Sequence, residues 1–358
     1  MPDVAIDDAT VRIDVINPWG RDARVDWRGG LTAPGAPGHP PINYWAWAAA
    51  TGGEFHQRPE TVTTAPDAVV VLLRWRGLAN LRAVRQLKSR GLTVFVSWKE
   101  SGAAQIAQQL RWPWMRWLHR RVLAAADGAF ATTEPGSRHY LDYGLPPARV
   151  HAVPTPYAFD EPGWDFSQPD AARSGVIVGT RQFDVPSRRH AEALQLAGRV
   201  ARAANCRLTV FNLDGPAGRA RVQALTGEIP AGIRWIEQRL AYPDFLREIA
   251  AHRLVLQRDA GWVPGQIAGD ALLCGIVNVG GNGAVQRLAF PEFAEPECSE
   301  AALEAAAIRL LTDLPAWREA AQGARVRAQH LGLSFASSRA RLAAVVRATN
   351  ALAAAASR

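Results

Sequence analysis

Short apolar runs alternate with amphipathic stretches along nearly the whole chain. VRIDVI (11–16), AVVVLL (68–73), LTVFVS (92–97), GAFATT (128–133) and RVHAV (149–153) have the length and β-branched content of buried strands. Helical patterns lie between them. The clearest is LANLRAVRQLKSRG (78–91), whose apolar residues recur at helical spacing until a glycine closes the run. A second series begins beyond residue 170: SGVIVGT (174–180), a helix over 187–203, CRLTVFN (206–212) and GIRWIE (232–237). It continues with a helix over 242–250, RLVLQ (253–257), a helix over 264–274 and IVNV (276–279). Alanine-rich helices fill 299–356.

Strands alternating with helices predict parallel sheets covered on both faces. Between the two series, PTPYAFDEPGWDFSQPD (154–170) carries four prolines and little periodicity, and reads as a linker. The expected fold class is therefore α/β, with two doubly wound Rossmann-like domains facing a cleft. The first domain spans 1–160, a linker 161–172 and a second domain 173–335. A final helix over 336–358 is placed to pack back on the first domain. Ligands of such sheets lie at the carboxyl ends of the strands, facing the cleft.

Composition narrows this picture. At 358 residues and 48% hydrophobic, the chain can build two cores, and no apolar run approaches the roughly 20 residues of a membrane span. The opening MPDVAIDDAT carries acids where a secretion signal carries basic residues, so a cytoplasmic protein is expected. Cys206, Cys274 and Cys298 match no disulfide or zinc spacing. His39, His56, His119 and His139 show no ligand spacing either, so no metal is expected. The net charge of +8 favours anionic partners. All but two of the 41 basic residues are arginine, the exceptions being Lys88 and Lys99.

Several stretches carry candidate chemistry, each with a plainer alternative. In GTRQFDVPSRRH (179–190), Arg181 leaves a strand end beside Gly179, and Arg188 and Arg189 open the next helix. Three guanidiniums and a helix N-terminus suit a diphosphate; a solvated arginine cluster is the alternative. GQIAGDALLCGI (265–276) places Gly265 and Gly269 at the start of a helix with Gly275 at its cap. Its backbone N–H groups can face an anion, or its glycines can simply allow close helix–sheet packing. SWKESG (97–102) follows a strand: Lys99 offers a tunable amine and Glu100 a general base, or the two form an exposed ion pair. Glu134 in TTEPGS is open to the same two readings. DWRGGLTAPGAPGHPP (26–41), which contains His39, is long enough to be a lid. RWPWMRWLHRR (111–121) interleaves three tryptophans with arginines, as an interfacial helix on anionic lipid would. Either its tryptophans are exposed, or they pack beneath the domain and leave only the arginines outside. Nucleic acid is not expected, because no RNA-binding signature accompanies it.

From residue 125 to about 290 the chain resembles glycosyltransferases of the GT-B fold, of the retaining family 4 (group 1) type. The resemblance rests on AADGAFATTEPGSRHYLDYGLPPARVHAVPTPYAFD (125–160), GTR (179–181), RWIEQRLAYPDFLREIAAHRLVLQ (234–257) and GDALLCGIVNVGGNG (269–283). It implies a nucleotide-diphosphate sugar as co-substrate with no other cofactor, and retention of configuration without a metal. The acceptor would be a cell-envelope glycan, a lipid-linked molecule or a protein. By the same resemblance Arg181 with Arg188 or Arg189 holds the phosphates. Gly265, Gln266 and Gly269 face the nucleotide, and Asp270 binds ribose. Trp262 stands where the family has a glutamate toward the donor sugar, with Asp259 placed to compensate. NPWG (17–20), with Trp19 and Gly20, replaces the usual glycine-rich loop. A nucleotide-sugar epimerase and a non-catalytic scaffold on the same fold are the alternatives, and the expected location is the cytoplasm or the inner membrane face.

Overall fold

The computed structural model describes residues 11–18, 45–98, 102–179 and 183–356. The first sheet contains β1 (Ile13–Ile16), β2 (Phe55–His56), β3 (Ala68–Leu73), β4 (Val94–Trp98), β5 (Gly128–Ala131) and β6 (Val150–Ala152). All are parallel, in the order β2-β1-β3-β4-β5-β6. All six residues of β3 are buried, as a strand covered on both faces requires. Helices α1 (Trp45–Thr51), α2 (Gly77–Ser89), α3 (Ala103–Gln109), α4 (Pro113–Ala125) and α5 (Glu134–Asp142) surround it.

The second sheet is also parallel. It comprises β7 (Val176–Val178), β8 (Leu208–Phe211), β9 (Ile233–Ile236), β10 (Leu254–Leu256) and β11 (Val277–Val279), ordered β11-β10-β7-β8-β9. The chain order reverses between β7 and β10, which opens a crevice beyond the carboxyl ends of those strands. Helices α6 (His190–Ala203), α7 (Gly215–Thr226), α8 (Tyr242–Ala250), α9 (Gln266–Cys274) and α10 (Ala284–Ala289) belong to this half. They are followed by α11 (Glu300–Thr312), α12 (Leu314–His330) and α13 (Phe335–Ala356). No helix among the described residues is long and apolar enough to cross a membrane.

The two halves meet through the loops that follow their strands. Gln105 donates to Ser187 Oγ at 3.3 Å, and Thr133 Oγ1 donates to the Trp262 carbonyl at 3.4 Å. A Cβ on Gly102 would lie 1.6 Å from the Gly261 carbonyl oxygen, so glycine is what lets the two backbones touch there.

The proline-rich segment is no loose tether. Tyr157, Ala158, Phe159, Trp164 and Phe166 are buried in the core of the second half, and Ala46, Ala49 and Ala50 of α1 join the same cluster. Its lack of periodicity reflects apolar side chains that belong to no helix or strand yet still pack. The final helix crosses to the first half. Asp160 accepts from the N–H groups of Phe335 and Ala336 at its start, and Leu342, Ala343 and Val346 pack with Ile13, Trp47, Phe95 and Phe130.

Candidate functional site

Beyond the carboxyl ends of β8 and β9 lies a cavity of about 680 Å3. Phe183, Phe211, Leu240, Tyr242 and Phe245 form its apolar wall, and Asn212, Asp214, Arg239 and Gln266 supply polar groups. The position follows from topology, since loops leaving parallel strands converge there. The walls are braced from behind. Asn212 Nδ2 donates to Glu237 at 2.8 Å, and Arg221 lies 3.8 Å above the Phe183 ring. Phe211 and Phe245 pack tilted, 5.3 Å apart. A lining of rings together with amide, carboxylate and guanidinium groups can clasp a flat heteroaromatic group with polar edges.

Sequence reasoning placed Gln266 here but missed the rest. Tyr242 and Phe245 sit three apart at the start of α8, a spacing that marks one helix face. Nothing local says that this face borders an opening.

At the switch point, two of the three arginines expected to hold phosphate bind carboxylates. Arg188 pairs with Asp259, whose carboxylate is buried and also accepts from the Gly261 N–H at 2.8 Å. Arg189 pairs with Glu192 and, at 3.0 Å, with Glu295; Glu295 in turn holds the buried Arg258 at 2.8 Å. Asp259, expected as a catalytic group, is thus enclosed as the anchor of the 259–262 turn. Arg188 and Arg189 do border the crevice, but with their charges matched in this state.

Helix α9 corrects the expectation for its glycines. A Cβ on Gly269 would lie 1.8 Å from Tyr157 Cζ, and the Gly269 N–H donates to the Gly265 carbonyl at 3.1 Å. The glycine therefore admits the Tyr157 ring and not a nucleotide. Gly179 likewise lies under Ile267, 2.6 Å from where its Cβ would be. Gly265 takes φ +92° at the helix N-cap, facing the Gln286 side chain, whose amide atoms are buried without a hydrogen-bond partner among the described residues. Asp270, expected to meet ribose, is 1% exposed and accepts from the Tyr242 hydroxyl. Burial pushes its carboxyl up to about 7, with Tyr242 opposing, and burial beside Asp270 raises the Tyr242 hydroxyl well above the usual phenol range. Tyr242 presents itself to the cavity; Asp270 stands behind it.

A second cavity, of about 400 Å3, lies between the halves and is lined by Ala103, Glu134, Pro135, Arg138, His139, Asp142 and Trp262. It brings together Glu134 and Trp262, which the sequence separates by more than a hundred residues. Glu134 is largely exposed and lies 3.6 Å from Arg138. Trp262 adopts φ +52°, its N–H donating to Asn282 Oδ1 at 2.9 Å and its ring carrying Arg287 at 4.9 Å. A left-handed tryptophan is strained, and the turn around it holds that conformation.

Behind this cavity the His119 and His139 Nε2 atoms lie 3.1 Å apart among Trp98, Tyr140 and Tyr143. Burial lowers them to about 3 and about 4, so both rings are neutral at pH 7, one donating to the other. Folded values depressed below the ordinary 6.5 give stability that is present above that pH and lost as pH falls through the folded values. His119→Phe is expected to flatten the fall in melting temperature between pH 6.5 and 4.5. An unchanged slope in thermal denaturation would show that the pair does not carry it. Among the described residues no three His, Cys, Asp or Glu side chains converge as a metal site requires. Trp19, Gly20, His39, Lys99, Glu100 and Arg181 lie outside the described residues.

No protein-family profile and no curated protein matches the chain. Solved structures do. The α,α-trehalose 6-phosphate synthase of Burkholderia multivorans superposes with TM-score 0.63 over 96% of this chain and 100% of that one, at 10% identity. Anabaena Alr3699/HepE in complex with UDP and glucose gives 0.60 over 94% and 100%, also at 10% identity. A UDP-forming trehalose-phosphate synthase of Burkholderia xenovorans gives 0.57 over 80% and 75%, at 13% identity. The chain has the GT-B fold. At these identities the likeness concerns architecture alone, and no particular glycosyltransferase family follows from it.

Proposed function

We propose that this GT-B protein is a glycosyltransferase that moves a sugar from a nucleotide-diphosphate donor to a cell-envelope glycan, a lipid-linked molecule or a protein. The observation that carries the reading is the aromatic-walled cavity at the carboxyl edge of the second sheet, beyond β8 and β9 and beside the switch point between β7 and β10. The presence of UDP with Anabaena Alr3699/HepE supports it. In this reading the base lies against Phe183, Phe211, Tyr242 and Phe245, and the ribose meets Asn212, Asp214 or Gln266. The diphosphate runs toward Arg188 and the N-terminus of α9, and Arg181 is proposed to bind it. Phosphate would compete with Asp259 and Glu295 for the arginines, so binding would loosen the 259–262 turn. Glu134 and Trp262 line the acceptor side, and Lys99 and Glu100 are the proposed catalytic pair. Transfer would proceed with retention and without a metal, the protein positioning the reactants and stabilising the departing diphosphate.

A second reading is a non-catalytic nucleotide-sugar-binding or scaffold protein. It is favoured by the carboxylate partners of Arg188 and Arg189 and by the indole at position 262. Product formation from a nucleotide sugar in the presence of an acceptor separates the two.

Calorimetry of the full chain with UDP, GDP and ADP tests the shared premise. Arg239→Ala is expected to weaken binding of the preferred nucleotide by about 1.5–3 kcal/mol, the scale of a charge-assisted hydrogen bond. Arg199→Ala, which removes a side chain held by Glu300 and Glu304, is expected to leave affinity unchanged. No binding, or equal losses from both, would count against this cavity.

A further inference from the structure

The tryptophans of 111–121 do not pack beneath the domain. Trp112, Trp114 and Trp117 are 53%, 58% and 56% exposed, whereas Met115, Leu118, Val122 and Leu123 on the opposite face of α4 are buried. The tertiary structure adds two residues that the sequence does not connect to them. Trp75 is 61% exposed and Leu78 56%, at the start of α2, which packs on α4: a Cβ on Gly77 would lie 3.1 Å from Leu118 Cδ1. Four indoles from two neighbouring elements thus face solvent, on a surface where a single exposed tryptophan would need no explanation.

We propose that this face docks on an anionic phospholipid bilayer. Its charge is nearly uniform. Neither α2 nor α4 contains an acid, and together they carry Arg82, Arg85, Lys88, Arg116, Arg120 and Arg121, of which Lys88 is paired with Asp127. Three guanidiniums lie over exposed indoles: Arg76 over Trp75 and Arg111 over Trp112, each at 5.3 Å, and Arg121 over Trp117 at 5.5 Å. Each pair holds a cation beside an amphipathic ring. The arrangement suits a boundary at which phosphate lies above and acyl chain below. A protein partner would have to present a matching run of acids to these arginines, whereas an anionic bilayer offers that charge everywhere on its surface. Single-stranded nucleic acid would need a groove to track its backbone, and neither the donor cavity nor the cleft cavity is lined by these tryptophans. These tryptophans instead project from an exposed helix face. The inner side of α4 carries His119 against His139, which lines the cleft cavity. Docking would therefore hold that cavity about one helix diameter, roughly 10 Å, from the lipid.

The experiment is sedimentation of the full chain with vesicles of phosphatidylcholine alone or of equal parts phosphatidylcholine and phosphatidylglycerol. The protein is expected to sediment with the anionic vesicles at low salt and to be released as salt rises. Trp114→Ser with Trp117→Ser, and separately Arg111→Glu with Arg121→Glu, are each expected to lower partition about tenfold or more. Neither pair should shift the melting temperature, because all four side chains face solvent. Absence of sedimentation, or equal sedimentation of wild type and both variants, would overturn the proposal. So would single-stranded DNA binding that is lost in the same variants while vesicles are ignored. A wild-type dimer dispersed by the substitutions, with no vesicle binding, would also overturn it.

Discussion

Gly269→Ala is expected to lower the unfolding free energy by about 2–3 kcal/mol, at the upper end for one added methyl in a packed core. The new Cβ would stand 1.8 Å from Tyr157 Cζ and 2.1 and 2.3 Å from the flanking ring carbons. The ring cannot swing away into solvent. Tyr157 is fully buried, and its N–H donates to the Leu333 carbonyl at 2.7 Å. Either α9 or the 154–170 segment must move, and α9 carries Gln266 on the cavity wall. Urea denaturation measures the loss, and adding Tyr157→Leu should restore part of it. If Gly269→Ala were as stable as the wild type, the tight approach would not exist. Access for a ligand would then again be the better account of the glycine.

The second large effect concerns Asp270. Its carboxyl is raised by burial from 3.8 to about 7 in the folded chain. The sign follows from linkage: the neutral acid is the form the fold accepts, so its contribution is complete below about pH 4 and is lost as pH rises through about 7. Asp270→Asn keeps a neutral acceptor for the Tyr242 hydroxyl and has nothing to ionise. It is expected to stabilise the protein at pH 8 by about 3–4 kcal/mol and by little at pH 4, the order of a three-unit displacement. Chemical denaturation at the two pH values measures this. The same variant should bind nucleotide within about twofold of wild type, because the carboxylate stands behind Tyr242, out of the cavity's reach. A large loss of affinity would return Asp270 to the ribose.

Much of the architecture was legible in the residues. AVVVLL is strand β3 to the residue, and LANLRAVRQLKSRG contains nearly all of α2. A short run of β-branched residues marks a strand buried on both faces, and a helical period marks a helix with one buried face. Helix α1, WAWAAAT, has no polar face, and β2 is two residues long, so neither leaves a periodic trace. Within the site, the order of strands and helices placed ligand groups, Glu134 among them, at the strand ends, and the family resemblance named Gln266 and Trp262; all three line cavities.

The sequence alone could show that Gly269 needs space and that Asp270 follows it. Whether a nucleotide or a tyrosine fills that space depends on a segment more than a hundred residues earlier, folded back by contacts no local pattern encodes. The same holds for charge. Arg188, Arg189 and Asp259 were visible as ionisable groups near one crevice, but which of them neutralise one another is set by distances of a few ångströms. Coulombic pairing at that range outweighs any preference a single residue carries. The tryptophans of α4 make the point at the surface. Their spacing fits a buried stripe or an exposed one equally well, and only the packing of Met115, Leu118 and Val122 against the domain decides which way the helix faces. Periodicity determines that a helix has two faces. The rest of the chain determines which one meets solvent.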